Sequence, residues 1–342
     1  INQMLGNYGV TIKWDRTNKV VSSSDGMKSL LDDMTSGAVD AVIISGVNPV
    51  YSVPGFAEAI SKVSLKISMA DRPDETSEIC DYVAPNHFFL EGWNDFEPTT
   101  GVYALAQPCI KPLFKTRQAE ESLLAWSGSK DDYYTHLRKT WEKEVFPKQT
   151  TNTLFESFWN KAVQDGVVST SVKLAEGESL VAYKGGDLNA VASQIKSTSG
   201  AWECQFYFKQ SMGDGTQSNN PHLQELPDPI TKVSWDNYVT MNPSDMKNNG
   251  WETRTAQETP ANLVNITVNG VTLQLPVVAQ PGQKVGTVGV ALGYGREVTG
   301  PSGQVGKNAY KCLKWNGSSL TYSSSDVSIE DAGATYPIAS VQ

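Results

Sequence analysis

Three textures along the 342 residues predict an α/β domain followed by a helical bridge and an all-β domain. Strands alternate with helical stretches up to about residue 115. An apolar period of 3.6 dominates from 116 to 199, and short β-branched and aromatic runs broken by Gly, Pro and Asn fill 200–342. The expected domains are a partial Rossmann-like parallel sheet (1–115), a helical bridge (116–199) and a small β-barrel (200–342).

In the first part, DGMKSLLDDM places Met27, Leu30, Leu31 and Met34 on one helical face. VDAVIISG follows as a buried strand that runs into the loop GVNPVYSVPG. FAEAISKV sets Phe56, Ile60 and Val63 on a second helical face, LKISMA is a second strand, and DYVAP is a third, stopped by Pro85. Alternation of this kind argues for a doubly wound parallel sheet.

The middle part carries three helices. RQAEESLLAWSG ends at Gly128, DDYYTHLRKTWEKEVF aligns Tyr134, Leu137, Trp141 and Val145, and TLFESFWNKAVQDG pairs Thr153 with Glu156 as a capping box before Gly166. Beyond residue 200, ECQFYF, KVSWDNYVTM, LVNITVNG, VTLQLPVVA and TVGVALGYG read as short strands. NITVNGVTLQL is a hairpin about Asn269-Gly270. The polar stretch GDGTQSNNPHLQELPDP is expected to fold over the barrel, and no internal repeat is found.

Composition narrows the function. The net charge of −9 disfavours binding to phosphate backbones, so nucleic acid is not an expected partner. No run reaches the ~20 apolar residues of a membrane span. The chain opens on Ile1 with no signal-like segment, and is expected to begin within a longer protein. Cys80, Cys109, Cys204 and Cys312 form no C-x-x-C and read as buried free thiols, and His87, His136 and His222 show no ligand spacing, so no metal site is expected.

GYGREVTGPSGQVGKN fails both glycine-rich phosphate patterns and reads as a flexible loop. The acid-rich ADRPDETSEICDYVAPNHFFLEGWNDFEP reads as caps and loop anchors, with Asp74 capping a short helix start and LEGWNDFEP a polar loop. Trp126, Trp141 and Trp159 lie in helical segments and are expected in the core. No catalytic residue is assigned.

Certain longer phrases carry a resemblance. GVNPVYSVPG, ADRPDETSEICDYVAP, ALAQPCIKPLFKTRQAEESLLAW, LQELPDPITKVSWDNY and LGYGR together look like the large iron–sulfur subunit of alternative complex III. That subunit is in turn similar to the molybdopterin oxidoreductases. The resemblance implies that the final barrel, at VTMNPSDMKNNG, the NITVNG hairpin and the strand ending at GYG, is of the double-psi type. It carries cofactor-binding candidates onto Gly46 and Asn48 of the G-x-N-P loop and onto Glu75 and Thr76 of the Glu75-Thr76-Ser77 segment.

The family's E-x-x-G-T-x-x-N-x-E-G-R reads EGWNDFEPTTGVYALAQP here, without the Gly-Thr pair and the Arg. The resemblance therefore implies a cofactor-free structural part of a quinol-oxidising respiratory complex, with iron–sulfur clusters elsewhere in the parent protein. Its partners would be other subunits of that membrane-bound redox complex, at the periplasmic face of the inner membrane. Two alternatives stand beside it: binding of molybdopterin guanine dinucleotide in an active oxidoreductase, and a stand-alone carbohydrate- or peptide-binding module.

Overall fold

The computed structural model describes residues 2, 4–7, 10–12, 18–19, 25–171, 189, 200–254 and 259–341. Its contacts divide the chain into two units, residues 1–23 with 84–191 and residues 24–83 with 192–342. Much of the expected bridge beyond residue 171 lies outside the described residues.

The second unit begins with α1 (Asp25–Ser36), whose Leu31 and Met34 are buried with Ile44, Phe56, Ile60 and Val63. Such a side chain contributes about 1.5–3 kcal/mol when fully buried, and this cluster is what docks α1. β1 (Ala41–Ile44), a single helical turn α2 (Pro49–Ser52), α3 (Phe56–Ile60), β2 (Leu65–Ser68) and β3 (Tyr82–Val83) follow. The three strands are parallel in the order β1-β2-β3, with Ile44 beside Ser68 and Ile67 beside Tyr82. The expectation of a wholly buried first strand is corrected. Side chains alternate between faces, so Ile44 enters the core while Ile43 stays 47% exposed.

The first unit contains β4 (Asn94–Thr99), β5 (Val102–Ala106), α4 (Ala119–Trp126), α5 (Tyr133–Thr140), α6 (Phe155–Asp165) and β6 (Val167–Ser169). The strands make an antiparallel sheet, β4-β5-β6. Part of LEGWNDFEP is thus a strand rather than a loop. Asp132 caps α5 by accepting from Thr135 N at 2.7 Å, and α5 runs on into a π-helical turn, Trp141–Val145.

Trp141 and Trp159 are buried with Leu137, Val145, Phe158 and Ala162, whereas Trp126 is 48% exposed, against expectation. It is the last residue of its helix and lies outside that apolar cluster. The capping box is also corrected. Leu154 occupies the cap position without a side-chain bond, and Glu156 pairs with Arg138 instead. Gly166 closes α6 in the left-handed region, as its type requires.

The second unit resumes with β7 (Glu203–Phe208), α7 (Pro221–Glu225), β8 (Val239–Met241), α8 (Pro243–Asn248), β9 (Ala261–Val268), β10 (Val271–Ala279), β11 (Thr287–Leu292), the hairpin β12 (Lys314–Asn316) and β13 (Ser319–Thr321), β14 (Ser323–Ser324) and β15 (Val327–Tyr336). Both short helices start at an Asn-Pro pair. Asn220 accepts from His222 N at 3.0 Å and Asn242 from Ser244 N at 2.7 Å, while each Pro sits where no N–H is needed.

Seven strands form one mixed sheet in the order β14-β7-β11-β8-β10-β9-β15, with β7/β11 and β8/β10 parallel and the other neighbours antiparallel. The β9–β10 hairpin turns at Asn269 and Gly270, both at positive φ, as an Asn-Gly turn demands. Val239, Met241, Val264, Ile266, Val288 and Leu292 fill the core over this sheet. Among the described residues, no helix is long and apolar enough to cross a membrane.

Candidate functional site

Parallel strands deliver their following loops to the same edge, and ligand sites of open α/β sheets sit there. The loop after β1 turns at Gly46 (φ +68°) and brings in Asn48; the loop after β2 brings in Asp74, Glu75 and Thr76. Asn48 Oδ1 accepts from Thr76 N at 3.2 Å and from Thr76 Oγ1 at 2.7 Å. The same Thr76 hydroxyl accepts from Val50 N at 3.1 Å. This fixes the Asn48 amide, so that its Nδ2 donates to Glu75 Oε2 at 2.7 Å.

Three of the four sequence candidates therefore form one network. Gly46 serves only through its backbone, with open space where a Cβ would stand. Asp74 behaves as a cap: Ser77 N donates to its Oδ1 at 2.7 Å, and Ser77 Oγ accepts from Asp74 N at 2.8 Å.

The residue that completes the site lies in the glycine-rich loop after β11, where the sequence marks no site residue. Arg296, four residues past β11, is 7% exposed, against 10% for the Glu75 side chain. Its Nε lies 2.9 Å from Glu75 Oε1 and 2.8 Å from Oε2. Glu75 Oε1 also accepts from Glu297 N at 2.8 Å and Val298 N at 3.2 Å. Burial by itself would push the Glu75 carboxyl up. The Arg296 guanidinium, the Asn48 amide and the Glu297 N–H outweigh it and hold the carboxyl down at about 2.

Backbone packing explains why Arg296 is aimed inward. A Cβ on Gly295, at φ +65°, would stand 2.2 Å from Asn308 N, and one on Gly215 would stand 2.9 Å from Gly293 O. These close approaches let Gly215 O accept from Arg296 Nη1 at 3.0 Å, with Val298 O 3.4 Å from Nη2. Tyr51 lies under the guanidinium, its ring centroid 5.0 Å from Cζ, and its hydroxyl donates to Tyr294 O at 2.7 Å. Burial pushes that phenol well above its ordinary range, so it acts as a hydrogen-bond donor and not as an acid.

The signal that could have found Arg296 is the pair Gly293 and Gly295 around Tyr294, since two positive-φ glycines mark a tight backbone approach. Glu297 and Val298 also line an open cleft of about 570 Å³ with Arg72, Glu78, Asn219 and Thr299.

A pyrophosphate needs donors, and the donors here already hold a carboxylate. An added oxyanion at the same point would meet Glu75 at van der Waals distance and like charge. The set as folded does not fit a dinucleotide phosphate. Among the described residues, no group of three His, Cys, Asp or Glu side chains is placed to hold a metal ion.

No family model matches the chain. Over 98 residues, 27% of the chain, it is 36% identical to the menaquinone reductase, molybdopterin-binding-like subunit of Nitratidesulfovibrio vulgaris (strain Hildenborough), a stretch that spans 14% of that relative. The fold is similar to that of acetylene hydratase from Pelobacter acetylenicus, with a TM-score of 0.59 at 11% identity, over 89% of the chain and 46% of that structure. The first likeness is one of sequence over about a quarter of the chain, and the second is one of fold.

Proposed function

We propose that the chain is a structural part of a quinone-linked redox-complex subunit, one in which the strand-end cluster holds the fold together rather than a cofactor. Electrons would pass through iron–sulfur clusters carried elsewhere in the parent protein or its complex. The observation that carries this reading is that Glu75, partly buried and ionised, takes up the Arg296, Asn48, Glu297 and Val298 donors that an anionic cofactor arm would need. The name of the N. vulgaris relative, a subunit of a menaquinone reductase, supports the quinone-linked setting.

The finer architecture belongs to the same proposal. The three parallel strands suit a partial Rossmann-like sheet, and two parallel pairs set among antiparallel ones suit a double-psi barrel. On this reading the fold is retained as a scaffold, since a fold by itself confers no chemistry. Metal analysis of the full-length protein, purified in its complex, tests it. Molybdenum and tungsten are expected far below stoichiometric amounts, and either metal near one per chain would establish the alternative, a pterin-loaded oxidoreductase.

A further inference from the structure

We infer that Glu75 is the resident ligand of an anion cradle: Arg296, Asn48 and the consecutive N–H groups of Glu297 and Val298 form a receptor for a small oxyanion, which the chain fills with its own carboxylate. The inference deepens the scaffold reading and rests on it.

Three features carry it. First, the donors converge on two oxygens at 2.7–3.2 Å, with two successive backbone N–H groups on Oε1, the arrangement by which backbone turns bind anions. Second, each donor is positioned without Glu75. Gly215 O and the Tyr51 ring hold Arg296, Thr76 holds Asn48, and Gly295 N donates to Val305 O at 2.8 Å to close the loop that presents Glu297 and Val298. Third, Glu297 and Val298, which present these N–H groups, also line an open cleft with Arg72 and Asn219, so the donor loop borders solvent. Truncating Glu75 thus leaves a formed set of donors around a buried guanidinium.

The experiment uses the 342-residue chain carrying Glu75→Ala. Thermal unfolding at neutral pH is followed in acetate, phosphate or pyrophosphate, against chloride at matched ionic strength. The variant is expected to show a saturable rise, about 2 °C at ten times the dissociation constant, while the wild type and the double variant Glu75→Ala/Arg296→Met show none. A Glu75→Ala response no larger than the wild type's overturns the inference, and so does a saturable response of the wild type itself.

If the variant does not fold in chloride, its recovery from denaturant is measured with and without pyrophosphate. Recovery with pyrophosphate alone supports the cradle, and failure in both contradicts it. None of these results bears on the metal content of the full-length protein, so the scaffold reading falls or stands separately.

Discussion

Arg296 Nε bridges both carboxylate oxygens of Glu75, at 2.9 and 2.8 Å, across 221 positions of sequence. Within this unit the pair joins the loop after the parallel strand β2 to the loop after β11 of the mixed sheet. Tyr51 to Tyr294 O, Asn308 Nδ2 to Tyr51 O and Trp315 Nε1 to Pro54 O tie the same two parts. A buried pair of this kind adds little net stability over an apolar one, but losing one partner strands the other.

A double-mutant cycle measures that dependence. Glu75→Gln and Arg296→Met are each expected to destabilise the chain by about 3 kcal/mol in denaturant unfolding. The double variant should fall short of the sum by about 2 kcal/mol or more. Additivity within about 0.5 kcal/mol would mean that the two side chains do not act as a unit.

Gly295→Ala should undo the same cluster from the backbone. The new Cβ meets the main chain of Lys307 and Asn308 at 2.2–2.7 Å, and the position needs φ +65°. A loss of at least about 2 kcal/mol is expected, with faster hydrogen exchange at Glu297 N and Val298 N. Unchanged exchange there would show that the loop absorbs the methyl group.

Lys209 supplies a prediction at the alkaline side. It is buried over the rings of Tyr238 and Tyr294, its Nζ 3.3 Å from Asp236 O. Burial lowers the ammonium group to about 8, with the charges of Asp228 and Asp236 acting against the shift. Between pH 8 and 10.5 the Lys209 side chain therefore holds its proton only in the unfolded chain, and its own contribution to folding stability rises with pH. Burial pushes up the Cys204 and Cys312 thiols and the Tyr207, Tyr238, Tyr294 and Tyr336 phenols. In the unfolded chain these groups lose protons first, within the same window, and their contributions fall with pH in wild type and variant alike. The stability of the wild type relative to Lys209→Met should therefore rise by about 3 kcal/mol across the window. A difference between the two proteins that stays constant across the window would contradict it.

In the first unit, Trp141 is fully buried and its indole N–H donates to Asp95 Oδ2 at 2.8 Å. Trp141→Ala removes the centre of an aromatic cluster with Tyr103, Phe158 and Trp159 and strands Asp95. A loss of about 3–5 kcal/mol is expected. Trp141→Phe should recover part of the packing but not the bond to Asp95, which a smaller loss in the same unfolding measurement would show.

What could be read in the sequence was what local physics decides. The α1 face, the Asn-Gly hairpin, the left-handed Gly166 and the Asp74 cap depend on residues a few positions apart. The loop pair of Asn48 with Glu75 and Thr76 was found through resemblance, and the parallel register then brings it together. Arg296 was out of reach because its partners, Glu75 and Gly215, are 221 and 81 positions away. The strand in NDFEPT was hidden because it lacks an apolar alternation, and its place is set by pairing with β5. The Thr153 capping box was a local pattern that lost to the competing ion pair of Glu156 with Arg138.

The most direct test is the titration of the Glu75 carboxyl itself, followed by carbon NMR with Glu75→Gln as the assignment control. A carboxyl held below its ordinary 4.5 stabilises the fold fully above that pH and loses its contribution as pH falls from 4.5 towards 2. The account predicts a midpoint near 2 that pyrophosphate does not move. A midpoint at 4.5 or above, or one that rises when pyrophosphate is added, would contradict a cradle already filled from within.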